Sequence, residues 1–320
     1  MHMHIDPHVH CRDWREAYKS TIKDVVSLAL SNGIVAVFDM PNTSPPITSK
    51  SLVKARLALA RKEGVLAHYY LYIGITSEEK QITDAAKIAE HNKKVVGIKM
   101  FAGTSIGSLA LPRESDQKEV YRVLAETGYE GVLAVHCEKE KYFKQEEWNP
   151  IVPATWNNAR PEIAEIESVK DQIKFARKAG FSGTLHIAHV SAPESVEIID
   201  KARRHMNITC GVTPHHLLIS TKEMTAKKGL LYKVNPPIRS EKSRRALFSL
   251  LKKGKIDWIE TDHAPHTLAE KLEKPYLSGI RSLELYQKLL NMLKKSGFTD
   301  SQIYKMTFSN ILDRFKNKLS

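Results

Sequence analysis

Cysteine is scarce in this chain: Cys11, Cys137 and Cys210 are the only three among 320 residues, and no two form a CxxC pair. Neither a disulfide framework nor a thiolate zinc site is therefore indicated. Long apolar runs are missing too. None would span a bilayer, and the first residues lack the basic, apolar and small-residue zones of a secretory signal. A cytoplasmic protein without membrane association is expected. Acidic residues are in deficit, 36 against 49 Lys and Arg, giving a net charge of +13. The bases are spread over amphipathic segments with acids among them, which describes a solvated lysine-rich surface and no nucleic-acid footprint. No GxGxxG follows the first strand-like run, so a dinucleotide-binding open sheet loses its main support.

What is present is a regular alternation. Short β-branched or apolar runs recur at 3–10, 34–40, 67–75, 95–101, 131–137, 184–190, 207–213 and 256–262. Amphipathic stretches separate them, among them 15–31, 82–92 and 161–180, and Gly33, Gly64, Gly128 and Gly180 stand where helices would stop. Eight strands interleaved with helices predict a closed parallel (β/α)8 barrel of the TIM type, one domain over residues 1–320. There is no internal repeat, low-complexity tract or linker.

The chain opens MHMHIDPHVH, which puts His2, His4, Asp6, His8 and His10 on one parity of the first strand. Alternate strand residues share a side, so all four histidines could face inward. Depth separates them: at about 3.3 Å per residue, His2 and His4 lie roughly 13–20 Å below the upper pair. His8 and His10 stand at the carboxyl end of their strand. Lys99, His136, His189 and Asp262 stand at the same end of theirs, the end at which such a barrel carries its chemistry.

Neutral imidazoles and carboxylates ligate zinc-type divalent ions, and four histidines with an aspartate exceed the needs of one catalytic ion. Two ions sharing a bridge fit the count. An ammonium beside two cations must lose its proton, and the neutral Lys99 amine can take up carbon dioxide to form an anionic carbamate bridge. A structural or substrate-binding lysine is the alternative reading.

The motifs HVHCR (8–12), MPNTSPP (40–46), GIKMF (97–101), VHCE (135–138), HIAHVS (186–191), TPHHLLIS (213–220), VNPPIR (234–239) and TDHAPHT (261–267) resemble, in order, those of dihydroorotase. That family belongs to the cyclic amidohydrolases of the metal-dependent amidohydrolase superfamily. The match runs from about residue 5 to 267, and more weakly through SGIRSLE (278–284). The resemblance implies two zinc ions per subunit, bridged by carboxylated Lys99 and a hydroxide. His8, His10 and Asp262 would hold the more buried ion, and His136 and His189 the other. It implies a small-molecule substrate, N-carbamoyl-L-aspartate or L-dihydroorotate, with Arg12, Asn42 and His266 clamping its unreactive carboxylate and Asn235 at the ring edge. It implies catalysis by Asp262, which takes the proton of the attacking hydroxide and delivers it to the departing ring nitrogen. His186 is expected to support the ligands, His215 and His216 to be structural, and His68, His91 and His205 to be surface or packing residues.

Three departures qualify the resemblance. The chain starts and ends close to the barrel motifs, so a barrel without the accessory β-sandwich of many relatives is expected. Where many relatives read REPG after HxH, this chain has CRDW (11–14), so the first loop is expected to differ in shape. The Gly/Ser-rich stretch 102–112 is expected to act as a mobile lid, with Thr104 and Ser105 bonding substrate. Hydantoinase and allantoinase are the chemical rivals, and neither needs the carboxylate clamp. A silent scaffold for aspartate transcarbamoylase is the rival from another class, and full ligand retention argues against it. A homodimer and association with aspartate transcarbamoylase are the partner arrangements left open.

Overall fold

The computed structural model describes residues 3–104 and 108–319. Its strands are His4–Val9 (β1), Ile34–Asp39 (β2), Tyr69–Gly74 (β3), Val95–Phe101 (β4), Val132–His136 (β5), Thr184–Ile187 (β6), Ile208–Val212 (β7) and Trp258–Ile259 (β8). Each pairs in parallel with the next, in the order β1 to β8. The ring closes where Val9 pairs with His263, with His10 N donating to His263 O and Asp262 N to His8 O, both at 2.9 Å. This is the (β/α)8 barrel that the alternation predicts. Among the described residues every strand belongs to this sheet.

Two apolar layers hold it. Outward-facing residues such as Ile98, Val135, Ile187 and Val212 pack against helix residues such as Val25, Ala85, Val120 and Val196. Inside, Ile5, Phe38, Tyr72, Val96, Ala134 and Trp258 form a second layer that meets Ile311 and Phe315 of the helix Asn310–Leu319. The Phe38 and Phe315 rings lie 5.0 Å apart, edge to face. Side chains of this size each contribute roughly 1.5–3 kcal/mol on burial, so the terminal helix is part of the barrel's core.

Two local expectations are corrected. The first helix spans Ile22–Ser31 and not 15–31, because Thr21 and Asp24 close a capping box that starts it there. Residues Trp14–Glu16 form a separate 3-10 turn. The histidine ladder is also broken. The β1 register shifts between Asp6 and Val9, so Ile5 joins the inner layer while Val9 joins the outer one. His4 turns to Thr307, 2.8 Å away, and packs on the Tyr286 ring. His2 lies outside the described residues. A bulge changes the parity of everything beyond it, and simple alternation cannot foresee one.

Candidate active site

The strand ends bring the expected residues together. His8 is the last residue but one of β1 and His10 follows that strand, Lys99 lies two residues before the end of β4, His136 ends β5, and His189 and Asp262 lie just beyond β6 and β8. His8, His10, Arg12, Asn42, His136, His189, Asn235 and Asp262 line one cavity with Phe101, Val234, Ala264, Ser278 and Gly279. Lys99 is fully buried, near enough to His8, His136 and His189 for its charge to act on each. His266 stands behind Arg12, whose Nη2 approaches His266 Nε2 at 3.1 Å while its Nε donates to Pro265 O at 3.2 Å.

The geometry falls into two neighbouring groups. Ligand atoms of His8, His10 and Asp262 lie within 4.8 Å of one another, with Asp262 Oδ1 at 2.9 Å from His10 Nε2 and 3.4 Å from His8 Nε2. His136 Nδ1 faces His189 Nε2 at 3.2 Å. The two groups touch, since the His8 and His189 ring centres are 5.2 Å apart. His189 and Asp262 both have left-handed backbones, φ 41° and 49°. That conformation is unfavourable for residues with a Cβ and is retained where the surroundings over-determine it.

These groups fit divalent metal. Burial drives the His8 imidazole down to about 4, helped by the Lys99 charge, and lowers His136 and His189 too, so these three are neutral and have lone pairs to give. His10 Nδ1 lies 2.8 Å from Asn42 Oδ1, which leaves its Nε2 turned toward the Asp262 carboxylate. His136, donating Nε2–H to Glu138 Oε2 at 3.0 Å, likewise turns its Nδ1 lone pair toward His189. Ring nitrogens and a carboxylate gathered this closely suit a divalent cation between them. Burial pushes the Asp262 carboxyl up, but the His10 hydrogen bond and the charge that His8 takes on in acid outweigh this and hold it well below the usual carboxylate range. Among the described residues, buried His8 Nδ1, His189 Nδ1 and Lys99 Nζ have no hydrogen-bond partner. Burial lowers Lys99 to about 8, within reach of the neutral amine.

Several residues take other positions than expected, and others escaped notice. Asn42 bonds His10 through its side-chain oxygen, so it orients a ligand from its place in the cavity wall. Thr104 turns from the cavity to Glu140, which accepts from its N at 2.7 Å and from its hydroxyl. Ser105 lies outside the described residues. Glu138 and Glu260 went unassigned. Glu138 is fixed by Arg160, whose Nε lies 3.0 Å from Oε1. Glu260 accepts from His186 Nε2 at 3.0 Å, from Trp258 Nε1 at 3.1 Å and from His189 N, and lies 3.8 Å from His8 Nδ1. Both sit two residues from a metal-type side chain, a same-face spacing that could have flagged them.

No family model matches the chain. Its curated relatives include a dihydroorotase of Brevibacillus brevis, 35% identical over 281 residues, 83% of this chain and 61% of that protein. A dihydroorotase of Pyrococcus horikoshii is 33% identical over 287 residues, 89% and 59% of the two. The chain thus spans about three fifths of the length of these relatives. Among solved structures, L-hydantoinase (dihydropyrimidinase) from Arthrobacter aurescens superposes with a TM-score of 0.86 at 22% identity, over 99% of this chain and 71% of that one. D-hydantoinase from Bacillus sp. AR9 gives 0.81 at 19%, over 97% and 71%. At such identities these two speak for the fold alone. A dihydroorotase of Aquifex aeolicus is 33% identical over 304 residues, 91% of this chain and 69% of that protein. With that coverage, around a His-rich cluster of the kind a metal-dependent amidohydrolase requires, the chain belongs to the dihydroorotase family.

Proposed function

We propose that this chain is a zinc-dependent dihydroorotase, interconverting N-carbamoyl-L-aspartate and L-dihydroorotate plus water, the third step of pyrimidine biosynthesis. The observation that carries the reading is the convergence of His8, His10, Lys99, His136, His189 and Asp262 from five strands on one buried site. In the arrangement we infer, His8, His10 and Asp262 would hold one zinc ion and His136 and His189 a second, with carboxylated Lys99 as the group they would share. Such ions supply Lewis acidity toward water and the ring carbonyl.

The chain's own groups do the rest. As water adds to the ring carbonyl carbon, Asp262 takes the proton of that water at the carboxylate that faces His10 and passes it to the ring nitrogen, whose bond to the same carbon breaks. Its depressed pKa keeps it ionised. Arg12, buried and braced against Pro265 and His266, offers a fork of donors to the substrate carboxylate. Asn235 closes the ring edge, and its side-chain oxygen accepts from Trp156 Nε1 at 3.1 Å.

We infer that residues 1–320 form one amidohydrolase domain working in the cytoplasm. Its assembly, as a homodimer or with aspartate transcarbamoylase, is read by light scattering with and without that enzyme. The deciding experiment joins metal analysis to an assay in both directions. Two zinc ions per chain and turnover of dihydroorotate, lost in Arg12→Ala, support the reading. Turnover of neutral hydantoin rings with dihydroorotate untouched would replace it with a hydantoinase.

A further inference from the structure

Arg56 lies in the helix Lys50–Lys62, fully buried, and none of the roles above uses it. Its Nη2 and Nε donate to Asp39 Oδ2 at 2.7 and 3.1 Å, and its Nη1 to Asp13 Oδ2 at 3.3 Å. Its guanidinium lies 5.0 Å from the centre of the Trp14 ring. Asp39 also accepts from Tyr69 Oη at 2.6 Å and, at Oδ1, from the backbone N of Cys11 at 2.8 Å. The residues on either side of Arg12 are therefore tied to this one pair: Cys11 through its backbone, Asp13 through its carboxylate, Trp14 through its ring.

The turn needs such an anchor. Arg12, Asp13 and Trp14 have φ of 64°, 64° and 49°, three successive left-handed residues with no glycine among them. A side-chain-bearing residue enters that region at a cost and stays there when its surroundings leave no alternative. CRDW has neither a proline nor a glycine to shape the turn, so the constraint comes from outside it. A planar, permanently charged fork facing two carboxylates, with a ring at hand, is what a guanidinium satisfies and an ammonium does not.

We infer that Arg56 is a positioning residue for substrate recognition: anchored on Asp39, it holds the 11–14 turn in its left-handed course so that the Arg12 guanidinium is delivered to the substrate carboxylate. The inference rests on the carboxylate clamp set out under Proposed function.

The test is a double-mutant cycle in the zinc-loaded enzyme, with Arg56→Lys, Arg12→Ala and the pair. Each is measured for kcat and KM on dihydroorotate, zinc content and thermal unfolding. Arg56→Lys should raise KM between about 10- and 100-fold at near wild-type kcat and full zinc content, as expected when a binding group is misplaced by an ångström or so. In the Arg12→Ala background it should change kcat/KM by no more than about twofold, because the group it positions is gone. Penalties that multiply, or a loss carried by kcat with zinc released, overturn the positioning role while the clamp stands. A silent Arg12→Ala removes the clamp and this role together. Should Arg56→Lys not fold, Asp13→Asn at the rim of the same network takes its place in the cycle, with the same expected and refuting results.

Discussion

Gly211 in β7 lies against the carboxylate that supports the histidine cluster. A Cβ built there would stand 2.4 Å from Glu260 Cδ and 2.6 and 2.7 Å from its two oxygens, about 1 Å short of ordinary contact. Glu260 has nowhere to go: it is fully buried and accepts from His186, Trp258 and the His189 backbone. Gly211→Ala should therefore break or stretch at least two charge-assisted hydrogen bonds of a desolvated carboxylate, a loss of about 3–5 kcal/mol. For a chain of this length that lowers the melting temperature by roughly 5–8 °C. The assay is thermal unfolding of metal-stripped protein, with zinc affinity measured separately, since His8 and His189 both lie against Glu260. The control is the same substitution made in Glu260→Ala, where the space is clear and the added cost should fall below about 1 kcal/mol. A Gly211→Ala protein melting within about 1 °C of wild type would refute the reasoning. So would an undiminished penalty without the Glu260 carboxylate.

Lys99→Ala should release zinc and abolish dihydroorotate turnover, with partial return of both on adding a short carboxylic acid; a variant that keeps two ions contradicts the bridge. Asp262→Asn should remain folded by circular dichroism while turnover drops on the order of 10³-fold, and surviving turnover would place the proton transfer elsewhere. Lys233 is buried between Trp156, Ser278 and the Tyr276 carbonyl, and burial, reinforced by Arg160, lowers its pKa to about 7 from 10.5. Between those values the unfolded chain holds a proton that the folded one has released, so this lysine costs stability at low pH and the cost fades as pH rises. In urea unfolding the stability of wild type relative to Lys233→Met should rise by about 1.4 kcal/mol per pH unit between about 7 and 10.5. Parallel pH dependences would show the ammonium to be fully compensated by its carbonyl and indole partners.

The barrel was legible because its signals are local. Apolar runs such as Val95–Phe101 and Ile208–Val212 are buried on both faces and read as strands without knowledge of their neighbours, and Gly180 ends its helix with φ 70° where a stop was expected. The six ligand-type residues were legible for a related reason. Each sits at the same end of its own strand, and a parallel barrel gathers those ends. What escaped notice depends on partners distant in the chain. His4 looked like a rung of the ladder, yet its partner Thr307 is 303 positions away, and a register shift set by pairing with β2 separates its parity from that of His8. Asn42 lines the cavity, as a substrate group would, and its oxygen also meets His10 32 positions away, a contact that no local pattern gives. Glu138 and Glu260 carried a faint same-face spacing, while Arg56 carried none, being one basic residue among many on an amphipathic helix.

Periodicity, chain direction and the recurrence of imidazole, amine and carboxylate at strand ends were enough to determine an eight-stranded barrel with a metal-type cluster on its carboxyl face, since each follows from residues within one strand or helix. Which nitrogen of each histidine points inward, which carboxylate steadies it, and how a turn of three left-handed residues is held were decided by the tertiary structure alone. Those outcomes are set by hydrogen bonds and charges between segments that meet only when the ring closes, where burial makes each unpaired group costly enough to select a single arrangement.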